Sequence, residues 1–423
     1  FRLYLLAISM MPSMSAMFSS DWPPGLTPDT KGNAWLSQLW QYEVTAAEAG
    51  LATRLQEAGY ATGAMTANAL LWSMPGMLEG FEETGRAHPI LLRRQSVLNH
   101  CPFLQDAIAG LFPWFDSLRP HDTTRDMLDY SLAFLRRHRA EPFFLYVHFM
   151  DPHAPYDPPL RFRSRKKGPW PFFYPYRGGE RWGVPQLTGD FTIAPENREY
   201  VQSLYEGEIR YMDEAVGRLM DELENLGIRE NTYICFTSDH GEEFWEHGKW
   251  GHGQSVYNEL VQVPLIFQGP DIAPAEIPGQ VSALDLLPTL ADLAGCEADT
   301  SSRGQSLGPV LRGEAADVAA GPVYAQGTSN KAWPYPYRMV AAGQYKLIEK
   351  AGADEFMLFD IEKDPGETAD ILEEEPAVAE YMRNLMRKWL ESFDATFSLP
   401  AAEESVTEER MEMQERLRGM GYL

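Results

Sequence analysis

The sequence is poor in cysteine: Cys101, Cys235 and Cys296 are the only three in 423 residues, and they are widely spaced. So few cysteines, odd in number, argue against a disulfide framework and against a cysteine-based zinc cluster. Basic residues are also scarce, with 36 Lys and Arg against 61 Asp and Glu and a formal net charge of −25. A chain this acidic is not expected to bind nucleic acid or an anionic membrane surface, although a local site could still take a small anionic substrate.

Long hydrophobic runs are absent as well. No stretch reaches the roughly eighteen apolar residues that a membrane-spanning helix needs, so we expect no membrane span. The first eight residues lack the layout of a signal peptide. Because the chain begins with Phe1 rather than methionine, we expect either processing or a longer parent protein, and a periplasmic, secreted or cytoplasmic location is left open. Apolar residues still make up 44% of the chain, which supports a sizeable core.

Predicted strands and helices alternate over most of the chain. Helical periodicity is found at 51–59, 121–138, 204–226 and 285–294. Apolar runs of strand length are found at 1–8, 61–67, 143–149, 232–236 and 263–268, and the last three of these read as buried strands. This alternation predicts an α/β fold, a three-layer α/β/α sandwich with a mostly parallel central sheet.

The last quarter of the chain has a different character. Short strands separated by turn residues are predicted at 323–325, 338–342, 345–348 and 357–360, and a helix at 376–394. They predict a small C-terminal α+β subdomain with an antiparallel sheet. We therefore divide the chain into an α/β domain (1–315), an antiparallel subdomain (316–400) and a tail helix (401–423).

Residues that can bind ions follow two of the predicted buried strands. Asp239 and His240 follow the strand at 232–236, in the segment TSDHGEEFWEHGKWGHG, and the segment MDPHAPYDPP with His153 follows the strand at 143–149. Open α/β sheets bind ligands beyond the carboxyl ends of their strands. A carboxylate and an imidazole can share one divalent cation. The two strand ends therefore predict a shared site, although a single histidine is more often structural.

A basic and aromatic segment lies at 161–182, with seven Lys and Arg residues and seven Trp, Phe and Tyr residues interleaved among them. In so acidic a chain, this segment could guide an anionic substrate towards His153. The alternative is a packed surface insertion with solvated charges.

Several motifs together resemble one known family. The block TSDHGEEFWEHGKWGHGQSVYNELVQVPLIF is similar to the second metal-binding region of sulfatases in the alkaline phosphatase superfamily. Further segments resemble that family in its order: FFLYVHFMDPHAPYDPP, YEGEIRYMDEAVGRL, SALDLLPTLADLAG, LFDIEKDPGET and RLRGMGYL. The resemblance implies a metal-dependent, arylsulfatase-like hydrolase of sulfate esters, a sulfuric ester hydrolase.

The family's functional residues carry over by motif. Asp239 and His240 match metal ligands, and the metal is a divalent ion, with calcium first and manganese or zinc as alternatives. His153 and His252 match catalytic, substrate-binding side chains, and His247 is either a further substrate-binding residue or structural packing. The resemblance thus implies a metal and two cationic side chains around a tetrahedral anion, a sulfate or phosphate ester.

Two departures from the family qualify this hypothesis. The family takes its other metal ligands from paired acids on a strand that we expect upstream of Phe1, so we expect the chain to be an N-terminally incomplete fragment. The nucleophile position, two residues before Pro12, holds Met10, so formylglycine is not expected and the nucleophile is unassigned. Two alternatives follow: a phosphodiesterase or phosphonate monoester hydrolase on the same scaffold, or an inactive homologue that only binds an anion or a partner.

Overall fold

The computed structural model describes residues 3–8, 50–68, 71, 77–86, 123–154, 156, 158–163, 195–296, 302–319, 321–327 and 337–392. In these residues a six-stranded sheet lies between two layers of helices, and a four-stranded antiparallel sheet follows it. The predicted α/β/α sandwich with a small C-terminal α+β subdomain is therefore confirmed.

Five parallel strands form most of the main sheet: β1 (Leu3–Ile8), β2 (Ala61–Thr66), β3 (Glu83–Arg86), β4 (Phe143–Phe149) and β5 (Tyr233–Thr237). A small hairpin of β6 (Glu243–Phe244) and β7 (Trp250–Gly251) follows, and then the edge strand β8 (Leu265–Gln268). The order across the sheet is β3-β2-β4-β1-β5-β8. β4 and β5 therefore lie on either side of β1, and their carboxyl ends meet at the same end of the sheet.

The helices are α1 (Leu51–Glu57), α2 (Thr123–His138), α3 (Pro195–Asn225), α4 (Asn258–Val261), α5 (Leu286–Leu293), α6 (Gly308–Leu311) and α7 (Pro376–Glu391). Short 3₁₀ turns lie at Leu160–Phe162, Arg229–Asn231 and Ala283–Asp285. In this part of the chain no helix combines the length and apolarity that crossing a bilayer takes.

Helices cover both faces of the sheet. Phe144 and Tyr146 of β4 pack in one apolar cluster with α1 and α5, and Phe143 and Leu145 pack in another with α2 and α3. This is why all seven residues of β4 are buried, since successive side chains of a strand point to opposite faces. Full burial of a side chain of this size stabilises the folded state by about 1.5–3 kcal/mol relative to leaving it exposed. β4 is therefore a rigid base for the loop that follows it.

Two sequence predictions need correction. The run at 263–268 was predicted to be a buried strand, but β8 is an antiparallel edge strand whose residues alternate in burial, with Ile266 58% exposed. Its partly buried residues, Leu265 and Phe267, pack against the core. The helix predicted at 204–226 begins earlier, at Pro195, because its first turns precede the part with clear apolar periodicity.

The C-terminal sheet consists of β9 (Val323–Gln326), β10 (Tyr337–Ala342), β11 (Tyr345–Lys350) and β12 (Glu355–Asp360), in the order β12-β11-β10-β9. Met382 and Trp389 of α7 pack on Val340 and Leu347 of this sheet. The boundary near residue 315 stays a prediction. Met10, the tail 401–423 and residues 164–182 of the basic segment lie outside the described residues.

Candidate active site

The loop between β5 and α4, residues 238–257, carries most of the predicted site residues. The side chain of Asp239 is fully buried, and its Oδ1 accepts a hydrogen bond of 3.0 Å from the backbone N–H of His240. Gly241 follows, where a Cβ would lie only 2.0 Å from the carbonyl oxygen of Glu259. Its N–H donates to the carbonyl oxygen of Leu260 at 2.8 Å. Only glycine fits this approach, so the loop after His240 is fixed against α4.

His252 lies at the far end of the same loop, directly after β7. Its ring centroid is 4.2 Å from that of His240 and 5.0 Å from that of His153. Gly251 and Gly253 on either side have φ of +91° and +86°, a conformation that favours glycine. The hairpin β6–β7 therefore folds the loop back, and His252 returns to His240.

His153 comes from the loop after β4. Its Nδ1 lies 2.6 Å from the carbonyl oxygen of Ala154, so Nδ1 carries the proton and donates it. Its Nε2 is buried without a partner. Asp151, two residues earlier, accepts a hydrogen bond from the hydroxyl of Thr124 at the start of α2. Asp151 therefore anchors the loop, while His153 reaches the histidines of the other loop.

His148, on β4 itself, is a further histidine at this edge of the sheet. It is fully buried, its Nδ1 lies 2.7 Å from the hydroxyl of Tyr146, and its Nε2 has no partner. Burial, together with the nearby His153 and His240, lowers the pKa of His148 to about 3. Burial and the charge of Asp239 raise the pKa of Tyr146 well above its ordinary value. With the phenol as donor to Nδ1, the proton of the neutral imidazole lies on Nε2.

Burial disfavours the charged forms of the other three histidines and of Asp239. It lowers the pKa of His240 to about 3 and those of His153 and His252 to about 4, and neighbouring imidazoles add to the shift for His240 and His153. Burial also raises the pKa of Asp239 well above its ordinary value. Without a ligand, His153 and His252 are therefore uncharged at neutral pH, and two cationic side chains around a bound anion stay a prediction. The cause of these shifts is the cost of placing charge in a largely buried site.

Glu242 is a site residue to which the sequence analysis gave no role. Its Oε1 lies 3.1 Å from Nδ1 of His252, and its side chain is only 5% exposed. Its charge also raises the pKa of the nearby buried Tyr156, after burial itself. A carboxylate here fixes which nitrogen of His252 faces the site. Nothing in the spacing of the four acids in this loop distinguishes Glu242 from the others.

His247 lies apart from this cluster. Its Nδ1 is 2.7 Å from Oε1 of Glu259, its Nε2 is 3.3 Å from the carbonyl oxygen of Glu367, and its ring stacks on Tyr257. Both nitrogens therefore have protein partners. Of the two roles considered for His247, these contacts favour packing over substrate contact.

Comparison with known sequences shows the family of the chain. A family model described as Sulfatase matches residues 12–296. The chain belongs to the sulfatase family. A second model, the C-terminal region of N-sulphoglucosamine sulphohydrolase, matches residues 245–395.

Curated sulfatases are similar over part of the chain. A choline-sulfatase of Rhizobium meliloti is 34% identical over 187 residues, and arylsulfatase K of Mus musculus is 32% identical over 203 residues. These matches cover 44% and 45% of this chain but only 35% of each relative. The matched part thus spans about a third of the length of these sulfatases.

Solved structures share the fold. BT4656 in complex with its substrate D-glucosamine-2-N,6-O-disulfate has a TM-score of 0.66 at 19% identity, covering 95% of this chain and 92% of that one. The phosphonate monoester hydrolase of Silicibacter pomeroyi has a TM-score of 0.62 at 20% identity, covering 97% and 92%. At such identities the likeness shows the fold alone.

Membership of the sulfatase family implies a divalent metal ion. Two buried atoms without partners, Oδ2 of Asp239 and Nε2 of His240, are the kinds of atom that bind such an ion. Two ligands are too few for a hard cation, which takes six or more. Among the described residues, no three His, Cys, Asp or Glu side chains are grouped closely enough to hold a metal. These two residues thus fit part of a coordination shell.

Proposed function

We propose that this chain is the core of a metal-dependent hydrolase that cleaves sulfate esters. One observation carries the proposal. The loops after β4 and β5 bring the ring centroid of His252 to 5.0 Å from that of His153 and 4.2 Å from that of His240. Beside them, Oδ2 of Asp239 and the Nε2 atoms of His153 and His240 are buried without partners. Buried polar atoms are rarely left unpaired, so such a group indicates a ligand of matching size and polarity.

Asp239 and His240 would hold the metal, and further ligands must come from beyond the described residues. When bound, the ion supplies electrostatic stabilisation of the charge that develops on the ester oxygens. A bound cation also favours the ionised carboxylate of Asp239, so it offsets the cost of burying that negative charge. The carboxylate cannot turn away, since its Oδ1 accepts from the N–H of His240.

His153 and His252 would bind the tetrahedral group. Each ring uses Nδ1 for a protein acceptor, the carbonyl oxygen of Ala154 or the carboxylate of Glu242. Nε2 is therefore the atom left for the substrate. In the neutral ring it carries no proton, so it becomes a hydrogen-bond donor to an ester oxygen only when a bound anion favours a second proton on the imidazole. Donors fixed in advance against developing charge are among the largest contributions to catalysis.

A phosphodiesterase or phosphonate monoester hydrolase is the second candidate. The sequence features that favour it are the Asp239–His240 pair and the lack of Cys or Ser two residues before Pro12. Met10 at that position is also the reason to consider a homologue that binds an anion without turnover.

The deciding experiment assays the full-length gene product, with added divalent metal, on an aryl sulfate, a phosphate diester and a phosphonate monoester. Turnover of the sulfate alone is the expected result. Preference for the diester or phosphonate would favour the second candidate. Retained sulfate binding without any turnover would contradict a catalytic role.

A further inference from the structure

The hairpin β6–β7 connects the site to the C-terminal subdomain. At its base, Glu242 comes directly before β6 and His252 directly after β7, and Oε1 of Glu242 lies 3.1 Å from Nδ1 of His252. Its tip is a tight turn in which the N–H of Trp245 donates to the carbonyl oxygen of Lys249 at 2.8 Å. His247 lies in that turn. Whatever holds the tip therefore also constrains the base.

His247 contacts two acceptors and no donor. Oε1 of Glu259 lies 2.7 Å from Nδ1, and the backbone carbonyl oxygen of Glu367 lies 3.3 Å from Nε2. A carboxylate and a carbonyl can only accept hydrogen bonds, so both contacts are hydrogen bonds only when both ring nitrogens carry protons. The ring also lies flat on Tyr257, with centroids 3.6 Å apart and planes 2° apart, an arrangement that favours a cation.

Glu367, whose backbone carbonyl oxygen contacts His247, is itself held in place by several contacts. Glu367 is 2% exposed, and its Oε1 lies 2.7 Å from Nζ of Lys346 on β11. Its Oε2 accepts from the backbone N–H of Asn258 at 2.6 Å, and Lys346 donates to the side chain of Asn258 at 2.9 Å. The carbonyl that receives His247 thus belongs to a residue fixed by a buried ion pair.

We propose that His247 is a positioning residue: as a doubly protonated imidazolium it fastens the tip of the hairpin to the C-terminal subdomain and so sets the positions of Glu242 and His252 at the base. The subdomain then belongs to the catalytic unit and does more than add stability. The effect on turnover rests on the proposed function, whereas the effect on docking does not.

The charges around His247 agree with this assignment. Burial disfavours the imidazolium, but the hydrogen bond and charge of Glu259, with smaller contributions from Glu367, outweigh burial and raise the pKa of His247 above its ordinary value of 6.5. Asp364 also faces the ring, and its pKa is lowered in part by the charge of His247. Lys346, a cation on β11, is paired with Glu367.

The raised pKa of His247 determines how the stability of the protein should depend on pH. Because the pKa is higher in the folded state, the stability that His247 contributes is complete below 6.5, its value in the unfolded chain. The contribution is lost as pH rises from 6.5 through the raised folded value. Docking of the subdomain should therefore weaken on the alkaline side.

The first test is a titration of the wild-type protein by NMR, with ¹³C-labelled histidine and the His247 signal assigned. We expect His247 to titrate above 6.5. A value at or below 6.5 would overturn the proposal, and this result does not depend on any variant folding.

The second test compares His247→Gln with His247→Arg in the full-length protein. Gln has no charge and donates from a single nitrogen, whereas Arg is charged and donates from several nitrogens, so Arg should restore what Gln loses. For Gln we expect kcat to fall on the order of tenfold with little change in KM, together with loss of the alkaline decline in thermal stability. His138→Gln is the matched control, because His138 also bridges two acidic side chains, Glu83 and Glu141, but lies on α2 away from the hairpin.

Equal kcat and equal pH profiles of stability for wild type and His247→Gln would overturn the proposal. If no substrate is turned over by the wild type, the proposed function fails, but the titration and the stability profiles still decide the role of His247.

Discussion

The rings of His240 and His252 lie with their centroids 4.2 Å apart, although the two residues stand at opposite ends of the β5–α4 loop. The hairpin between them makes this contact possible. A candidate metal ligand is thereby placed beside a candidate substrate-binding side chain, and His153 from another loop completes the group at 5.0 Å.

Removal of either substrate-facing imidazole should impair turnover without unfolding the protein. We expect His153→Ala and His252→Ala each to lower kcat/KM at least about tenfold, since a single fixed donor is worth that much or more. Circular dichroism and thermal unfolding establish that the fold is intact, and His138→Gln is the control. Near-normal rates in both variants would remove the assigned roles.

Glu242 should affect turnover through its contact with His252. Glu242→Gln keeps an oxygen that can accept from Nδ1 but removes the negative charge, so we expect a moderate loss of kcat, roughly tenfold, with the chain still folded. Glu243→Gln is the matched control, because Glu243 instead pairs with the N–H of Lys249 and the side chain of Gln254 within the hairpin. Equal effects of the two substitutions would mean that the loop alone, and not the contact with His252, is responsible.

Metal binding should be detectable as added stability. A ligand that binds only the folded state stabilises it by about 2.7 kcal/mol at a hundred times its Kd. After treatment with EDTA and dialysis, added divalent metal should therefore raise the melting temperature of the wild type and have much less effect on Asp239→Asn. The same rise in both proteins would place the metal elsewhere.

The buried pair of Lys346 and Glu367 should be costly to break on one side. Both side chains are at most 1% exposed, so Lys346→Met leaves a buried carboxylate without its partner and should cost about 3–5 kcal/mol in unfolding free energy. The double variant Lys346→Met, Glu367→Gln should lose less, because no charge then stays buried alone. Urea denaturation measures both, and additive losses would contradict the pairing.

The sequence predicted the parts of the fold that local pattern determines. The predicted strand Phe143–Phe149 corresponds to β4 without error, because a strand covered on both faces needs no alternation. The run at 263–268 is also mostly apolar, yet β8 lies at an edge of the sheet. Which strand is central depends on pairing with distant segments, and composition carries no information about that.

The same limit applies to the site. Strand-end position was enough to predict that Asp239, His240 and His153 lie near one another, because parallel strands end at a common edge. The position of His247 outside the histidine cluster was not predictable, since the residue that His247 contacts, Glu367, lies 120 residues away in the chain. The neutral state of the histidines was also hidden, because burial of a side chain is a property of the folded protein.

The most direct test of the central claim is a crystal soaked with tungstate, a tetrahedral oxyanion that anomalous scattering locates without ambiguity. We predict one tungstate within hydrogen-bond distance of Nε2 of His153 and of His252, beside Asp239 and His240. Tungstate bound only elsewhere, with this group of side chains empty, would contradict the claim.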